Sequence, residues 1–305
     1  MNAQLPSGVW VFERGWLSSN NILLTGEGQS ALVDTGYHTH SAQTVSLVAL
    51  RLGDRPLDLI VNTHLHSDHC GGNAALQSRY PNVVTLIPPG QSEAVARWDV
   101  DALTYAPTGQ FCPRFRFDKV LCPGTTVRWG HMNWEVHAAP GHDPHSVVLF
   151  EPSSRTLISA DALWENGFGV VFPELEGNSA FAEVGATLSL IASLTPHVVI
   201  PGHGRPFSDV GTALIRARSR LEGFMRTPAR HARHAAKVLL KFKLLEVHSV
   251  ERSAFLQWVE TTPYFQQIRR SEFADMPTSM WFDELIQELV TTNSLRLSGD
   301  TVLNV

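Results

Sequence analysis

The sequence predicts an α/β protein with a layered core, followed by a mostly helical region. Short apolar segments of strand length alternate with segments whose apolar residues recur at near-helical spacing, such as Val45, Val48 and Leu52. This alternation continues to about residue 208, and beyond it nearly every predicted element is a helix. At 305 residues the chain is long enough for two such units. We therefore predict one layered domain over residues 1–208 and a smaller, winged-helix-like domain over residues 209–305.

The elements of the first domain follow from apolar runs that end in turn residues. Residues 58–63, DLIVNT, are typical, because an apolar run of strand length stops at a polar cluster. The predicted strands are 9–15, two within 20–36, 58–63, 83–89, 134–140, 146–152, 155–161 and 197–204. The predicted helices are 40–53, 71–80 and 180–194.

The second domain is predicted from helical periodicity and a terminal hairpin. Its helices are expected at 212–227, 228–247, 250–265 and 280–292, and the hairpin at 295–305, with Ser-Gly-Asp at its turn. Large aromatic residues give this domain enough apolar bulk to pack as a unit and against its neighbour. These residues are Trp258, Phe265, Trp281 and Phe282.

Composition describes a soluble globular protein. Hydrophobic residues make up 43% of the chain and charged residues 17%, with a formal net charge of -5. The negative charge argues against a surface that binds nucleic acid throughout, although a local basic patch remains open. Cys70, Cys112 and Cys122 form no CxxC pair, which favours a reducing compartment. The N-terminus has no leader pattern and no stretch is long enough to span a bilayer, so we expect a cytoplasmic protein without a membrane partner.

Residues able to bind metal are concentrated just after the predicted strands. Residues 62–73, NTHLHSDHCGGN, hold four of them, and three more follow later strands. Loops at strand ends converge to build sites, because the sheet holds them rigidly. Imidazole and carboxylate are usual ligands of zinc, with iron and manganese also compatible. Seven such residues are too many for one tetrahedral ion but suit two ions that share a carboxylate: His64, His66, Asp68, His69, His142, Asp161 and His203.

The HxHxDH motif followed by two glycines, with the later positions, resembles the metallo-β-lactamase superfamily. The resemblance covers residues from about 8 to 208 and includes all five of the family's short motifs in order. It implies an αββα sandwich with the site at one edge. It also implies that His64, His66 and His142 hold a first metal, that Asp68, His69 and His203 hold a second, and that Asp161 bridges the two. Asp34 in ALVDTG matches the family's first motif, a carboxylate that orients the ligands.

The implied chemistry is hydrolysis by a hydroxide shared between two divalent ions. Asp68 is expected to serve both as a ligand and as a proton acceptor. His145 in PGHDPHS either donates a hydrogen bond to the substrate or packs its loop. Cys70 is expected to be a small buried residue without a direct role. An aromatic run after Asp161 either walls an apolar pocket or belongs to the core, and its members are Trp164, Phe168 and Phe172.

The sequence is compatible with several substrate classes. The first hypothesis is a small carbonyl substrate, namely a thioester, ester or lactone. The alternative is a phosphodiesterase or endoribonuclease of the β-lactamase-like branch with a helical C-terminal domain. A β-lactam hydrolase, a mononuclear iron dioxygenase and a flavodiiron-type reductase are further alternatives, although flavodiiron proteins usually have glutamate where this chain has His66.

The C-terminal domain has an open role. It is expected to form a lid, contact RNA or mediate a homodimer. The helix at 228–247 carries a basic face opposite an apolar one, which is either solvated or contacts phosphates. The basic residues are Arg230, Arg233, His234, Lys237 and Lys241, and the apolar ones are Val238, Leu239, Phe242 and Leu245.

Overall fold

The computed structural model describes residues 4–305. Two mixed β-sheets lie face to face, and helices cover the outer face of each sheet. A three-stranded sheet and a helical bundle follow at the C-terminal end. The predicted α/β class and the αββα sandwich are confirmed. Within residues 4–305, none of the helices combines the length and the apolar composition of a membrane span.

The first sheet has six strands in chain order. Its first three strands pair antiparallel, and the rest pair parallel. The parallel strands need crossover connections, which helices of the outer layer supply. The strands are β1 (Val9–Phe12), β2 (Asn21–Leu24), β3 (Ala31–Val33), β4 (Leu59–Val61), β5 (Val84–Ile87) and β6 (Lys119–Val120).

The second sheet has five strands in the order β11-β10-β9-β8-β7. Only its β10–β11 pair is parallel. The strands are β7 (Thr126–Trp129), β8 (Met132–Ala138), β9 (Val147–Glu151), β10 (Thr156–Ala160) and β11 (Val198–Pro201).

Side-chain alternation along the strands divides the core into layers. In β2, Ile22 and Leu24 face the second sheet, whereas Leu23 faces the helices outside the first sheet. In β9, Val148 and Phe150 face the helices outside the second sheet. The helices of this part are α1 (Ser41–Leu52), α2 (Ser67–Cys70), α3 (Asn73–Arg79), α4 (Ser92–Arg97), α5 (Phe172–Leu175), α6 (Phe181–Leu194) and α7 (Val210–Arg226).

The C-terminal part forms a separate hydrophobic cluster. Phe265, Trp281 and Phe282 are fully buried there, and Trp258 packs against the cluster. Val170 and Leu175 of the sandwich join the same cluster. Its elements are α8 (Pro228–Val247), β12 (Ser249–Glu251), α9 (Arg252–Thr261), α10 (Pro263–Glu272), α11 (Thr278–Thr291), β13 (Leu295–Ser298) and β14 (Thr301–Asn304).

The structure differs from the sequence-based expectation in several elements. The strands β6, β7 and β12 and the short helices α2, α4 and α5 were not among the predicted elements. The single helix expected at 250–265 is wrong, because Thr262 is extended before Pro263 and splits the segment into α9 and α10. Proline disfavours helical backbone at the preceding residue, which explains the break. The helix α7 packs into the core of the second sheet through residues such as Ala217 and Leu221. The domain boundary at 208/209 stays a prediction. Although α7 follows this boundary in the chain, it packs against the predicted first domain.

Candidate metal centre

The seven residues predicted to bind metal converge at one edge of the sandwich. His64 and His66 follow β4 of the first sheet, and His142 follows β8 of the second. Asp161 and His203 follow β10 and β11. The short helix α2 carries the remaining two residues, Asp68 and His69. Because the sheets face each other, strand ends from both bring their loops to the same place.

The seven side chains form two groups. The donor atoms of one group lie within 4.8 Å of one another, and so do those of the other. The first group is His64, His66 and His142, and the second is Asp68, His69, Asp161 and His203. These are the two sets that the sequence resemblance implies, with Asp161 counted in the second. Their roles as ligands stay a prediction.

Hydrogen bonds fix the tautomer of His64 and of His142 in the first group. The Thr63 hydroxyl donates to Asp34 Oδ2 at 2.7 Å, so it accepts from His64 Nδ1 at 3.1 Å. His142 Nδ1 donates to the Val170 carbonyl at 2.5 Å. Each ring therefore presents the lone pair of Nε2 to the centre. The third ring, His66, places Nδ1 2.8 Å from His142 Nε2.

The second group is oriented in the same way. His69 Nδ1 donates to Asp34 Oδ2 at 2.7 Å, and His203 Nδ1 donates to the Gly15 carbonyl at 3.1 Å. Both rings then turn Nε2 inward, where His203 Nε2 lies 3.0 Å from Asp68 Oδ2. Buried Asp34 therefore contacts the predicted ligand His69 and also Thr63, which precedes the predicted ligand His64. These contacts agree with the orienting role that the sequence suggested.

Asp161 lies between the two groups. Its Oδ2 is 3.5 Å from His142 Nε2 in the first group and 3.5 Å from His69 Nε2 in the second. Its Oδ1 accepts a hydrogen bond from the Trp164 indole N–H at 3.1 Å. A β-carbon at position 202 would overlap Asp161 Oδ1, so Gly202 lets the backbone pass this close. The position is that expected of a bridging carboxylate.

Electrostatics differ between the two groups. Burial and neighbouring imidazoles lower the pKa of His64 and bring that of His66 to about 3, which keeps both rings neutral, as metal binding requires. Burial also lowers the pKa of His69, but Asp161, Asp34 and Asp68 outweigh it and raise that pKa well above its ordinary value. The carboxylates therefore favour positive charge in the second group.

The residues fit a pair of divalent cations. His64 Nε2 and His69 Nε2 are buried and have no hydrogen-bond partner among the described residues. An unsatisfied buried polar atom costs about 1–3 kcal/mol, and here two of them point at a cluster of carboxylates and imidazoles. A cation in each group would accept one of these two lone pairs, and the pair of cations would neutralise the carboxylates.

The centre opens into a cavity of about 440 Å³. Asp68, His66, His142, Asp161 and His203 lie at its base. Apolar side chains make up much of the wall, and several of them come from the C-terminal helix α8. The wall includes Trp16, Tyr105, Trp164, Val170, Phe172, Val238, Leu239 and Phe242.

The predicted substrate residues have different positions. Trp164 and Phe172 line the cavity, whereas Phe168 is buried in the core outside the second sheet. The His145 ring lies against Gly90, and within residues 4–305 it is not among the residues that line the cavity. This position favours the packing alternative, while a catalytic role of His145 stays a prediction.

Cys70 lies in the core beside the centre. Its side chain is fully buried and its Sγ is 3.2 Å from the Tyr105 hydroxyl and 3.8 Å from Cys112 Sγ. Burial raises the pKa of the thiol well above its ordinary value, so the nucleophilic thiolate is disfavoured. The structure agrees with the expected packing role.

Several residues at the cavity were not singled out from the sequence. Trp16 stacks on His203 with a centroid distance of 5.4 Å and an interplanar angle of 8°. Gln110 lines the wall and accepts a hydrogen bond from Ser67. Arg220 of α7 also lines the cavity, although it lies far along the chain from Trp16 and Gln110. Nothing local in the sequence marks these residues, because they reach the centre only through the fold.

Comparison with known proteins agrees with this architecture. A sequence model described as the metallo-β-lactamase superfamily matches residues 14–203. The hydroxyacylglutathione hydrolase of Brucella anthropi is 28% identical over 185 residues, which are 61% of this chain and 58% of that relative. The chain thus spans less than two thirds of its length.

A second relative and a solved structure extend the comparison. The acyl-coenzyme A thioesterase of Gallus gallus is 27% identical over 224 residues, which cover 67% of this chain and 80% of the relative. The crystal structure of a metallo-β-lactamase family protein from Thermus thermophilus has a TM-score of 0.56 at 18% identity. It covers 99% of this chain and 100% of its own, so the shared fold includes the C-terminal part.

Proposed function

The chain belongs to the metallo-β-lactamase superfamily, and from that premise we propose that it is a metal-dependent hydrolase of thioesters. The observation that carries this proposal is the double group of seven donors at the base of a largely apolar cavity. Two relatives are named as a hydroxyacylglutathione hydrolase and an acyl-coenzyme A thioesterase, both of which cleave thioesters.

Zinc is the ion that we propose for both positions. The donors are imidazole nitrogens and carboxylate oxygens, which suit zinc and also accept iron or manganese. Two separate groups with Asp161 between them favour two ions over the single ion of an iron dioxygenase. Such ions, when bound, lower the pKa of water and polarise a carbonyl group.

The protein's own residues supply position and proton transfer. Asp34 and the Val170 carbonyl hold His69 and His142 in the required tautomer. Asp68 lies at the cavity surface, with its Oδ2 near His203 Nε2, and is placed to accept the proton of an attacking water. In the overall reaction, water oxygen adds to the carbonyl carbon, the C–S bond breaks, and the released thiolate takes a proton.

The cavity wall suits an acyl group. Val170 and Phe172 line the cavity together with Leu239 and Phe242 of α8, and this apolar lining suits an acyl chain. Such an apolar wall is poorly matched to the charged sugar-phosphate chain of RNA. Phosphodiester hydrolysis is nevertheless the second candidate, because α7 and α8 carry many arginines close to the cavity.

The test is a substrate panel on zinc-, manganese- and iron-loaded protein. The panel contains short thioesters, lactones, a β-lactam, a phosphodiester and a short RNA, and thiol release reports thioester cleavage. We expect thioesters to have the highest kcat/KM, and Asp68→Asn to lower turnover more than metal content. Efficient cleavage of the phosphodiester with no thiol release would reject the proposal.

A further inference from the structure

A groove between α7 and α8 concentrates positive charge beside the metal cavity. Its volume is about 820 Å³, and Asn166, Arg220 and His234 line both the groove and the cavity. The chain as a whole has a net charge of -5, so this excess of positive charge is local. The cationic residues of the groove are Arg216, Arg220, Arg226, Arg230, Arg233 and Lys237, and Glu288 is the one carboxylate among its lining residues.

The cations are aligned by helical spacing. Arg216 and Arg220 are four residues apart on α7, and Arg230, Arg233 and Lys237 follow at intervals of three and four on α8. Residues at these spacings share one face of a helix, so the two cationic faces meet across the groove. One residue of the predicted basic face, Lys241, is not part of the groove. It donates hydrogen bonds to residues at the C-terminal hairpin instead.

Lys241 Nζ donates to the Ser294 carbonyl and to Asn304 Oδ1, both at 2.5 Å. It therefore stabilises the packing of the hairpin on α8. The groove begins one turn earlier on the helix, at Lys237.

Most of the positive charge in the groove is not neutralised by the protein. Glu288 pairs with Arg233 at 2.6 Å and with Lys237 at 2.7 Å. Across residues 4–305, no carboxylate lies within 4.0 Å of the guanidinium groups of Arg220 or Arg230. Burial lowers the pKa of Arg220, and the charge of Arg230 lowers it further. An anion bound beside both guanidinium groups would relieve their mutual repulsion and stabilise them.

We propose that this groove binds the phosphate groups of a thioester whose carrier is a phosphorylated nucleotide, with the acyl end at the metal centre. The inference rests on the proposed function and adds the carrier to it. Residues shared by the groove and the cavity provide the path from one to the other. Arg220 lies on this path, where its guanidinium group packs over Gly167.

A small phosphorylated carrier fits the surroundings better than a nucleic acid. Proteins that bind single strands stack successive bases on exposed aromatic rings. Phe224 is the aromatic residue among the groove's lining residues apart from the imidazole of His234, and it is only 6% exposed. The cavity end is apolar, which suits an acyl chain rather than further phosphates.

Binding is tested first with desulfo-coenzyme A, which carries the phosphates but has no thioester. Isothermal titration on the metal-loaded full chain should show binding that weakens with salt. Arg220→Ala and Arg230→Ala should each raise the Kd by about tenfold or more, the loss typical of one charge-assisted hydrogen bond. Arg218→Ala is the matched control, because Arg218 is exposed on α7 and is not a lining residue of the groove. Equal Kd values for Arg230→Ala and Arg218→Ala would overturn the proposal.

Kinetics then separate the carrier from the chemistry. Acetyl-coenzyme A and an acetyl thioester of N-acetylcysteamine share the reacting bond, but only the first carries phosphates. The kcat/KM for acetyl-coenzyme A divided by that for the N-acetylcysteamine thioester should fall about tenfold in Arg230→Ala. This ratio should stay unchanged in Arg218→Ala.

Two further outcomes are decisive in different ways. If neither thioester is cleaved while desulfo-coenzyme A still binds through Arg230, the groove stands and the proposed function fails. If a short single-stranded RNA binds more tightly than desulfo-coenzyme A and is cleaved, the assignment of the groove to a small carrier is overturned.

Discussion

Replacing Asp34 by asparagine changes one atom beside the metal centre and leaves the shape of the side chain intact. Asp34 Oδ2 accepts from His69 Nδ1 and from the Thr63 hydroxyl, both at 2.7 Å, and Oδ1 accepts from Thr63 N at 2.9 Å. In Asp34→Asn, one of these positions must hold an NH₂ group. If it replaces Oδ2, two donors face each other at His69, and if it replaces Oδ1, two donors face each other at the backbone of Thr63.

The magnitude follows from these contacts. The first orientation forces the proton of His69 from Nδ1 to Nε2, where it blocks the lone pair needed for a metal ion. The second leaves a buried N–H unsatisfied, at a cost of about 1–3 kcal/mol. Loss of such an orienting partner typically lowers metal affinity by about 10–100-fold. We therefore expect the affinity for the metal ion next to His69 to fall by a factor in this range. The affinity for the ion next to His64 should fall by less.

The assay is competition for metal with a chromophoric chelator, together with elemental analysis of the purified protein. Asp58→Asn is the matched control. Asp58 Oδ2 also accepts from a backbone N–H and a hydroxyl, both of Ser30, but Asp58 is not among the residues of the two donor groups. If Asp34→Asn and Asp58→Asn retained metal equally well, Asp34 would not control the tautomer of His69.

The remaining predictions concern the bridge, acid stability and the C-terminal part. Asp161→Ala should hold about one ion per chain instead of two by elemental analysis, and two ions at unchanged affinity would contradict its bridging role. Burial lowers the pKa of His231 from 6.5 to about 4, so below about pH 6.5 the unfolded state binds the proton that the fold excludes. His231 alone should lower the unfolding free energy by up to roughly 3 kcal/mol toward pH 4, beside the contribution of other buried histidines such as His234. In denaturant titrations His231→Gln should therefore flatten the slope by about this amount, whereas exposed His197→Gln should not. A chain that ends at Arg226 keeps every proposed ligand and α7 but loses the part of the cavity wall that α8 supplies. It should therefore bind metal yet cleave long acyl thioesters poorly. Unchanged rates would assign α8 another role.

The convergence of the seven donor residues could be predicted, because each lies in a short motif that comes after an apolar strand. His64 and His66 stand directly after β4, and His203 directly after β11, so local sequence carries the information. The glycines of the motif are explained as well. A β-carbon at Gly71 would lie 2.5 Å from the Ser67 carbonyl and 2.6 Å from the backbone nitrogen of His38, which only glycine avoids.

The cavity wall could not be predicted in the same way. Trp16 and Phe242 meet at one cavity although they lie in opposite parts of the chain, and no spacing rule links them. The amphipathic pattern of α7 showed that one face is buried but not what covers it. That face packs on α6 in the core outside the second sheet. The break at Pro263 could have been predicted, since proline disfavours helix at the residue before it.

We expect two metal ions to occupy the two donor groups on either side of Asp161. The most direct test of this expectation is anomalous diffraction from crystals of the zinc-loaded protein, with data on both sides of the zinc absorption edge. Two peaks should appear, one among His64, His66 and His142 and one among Asp68, His69 and His203. A single peak, or peaks elsewhere with both groups empty, would contradict it.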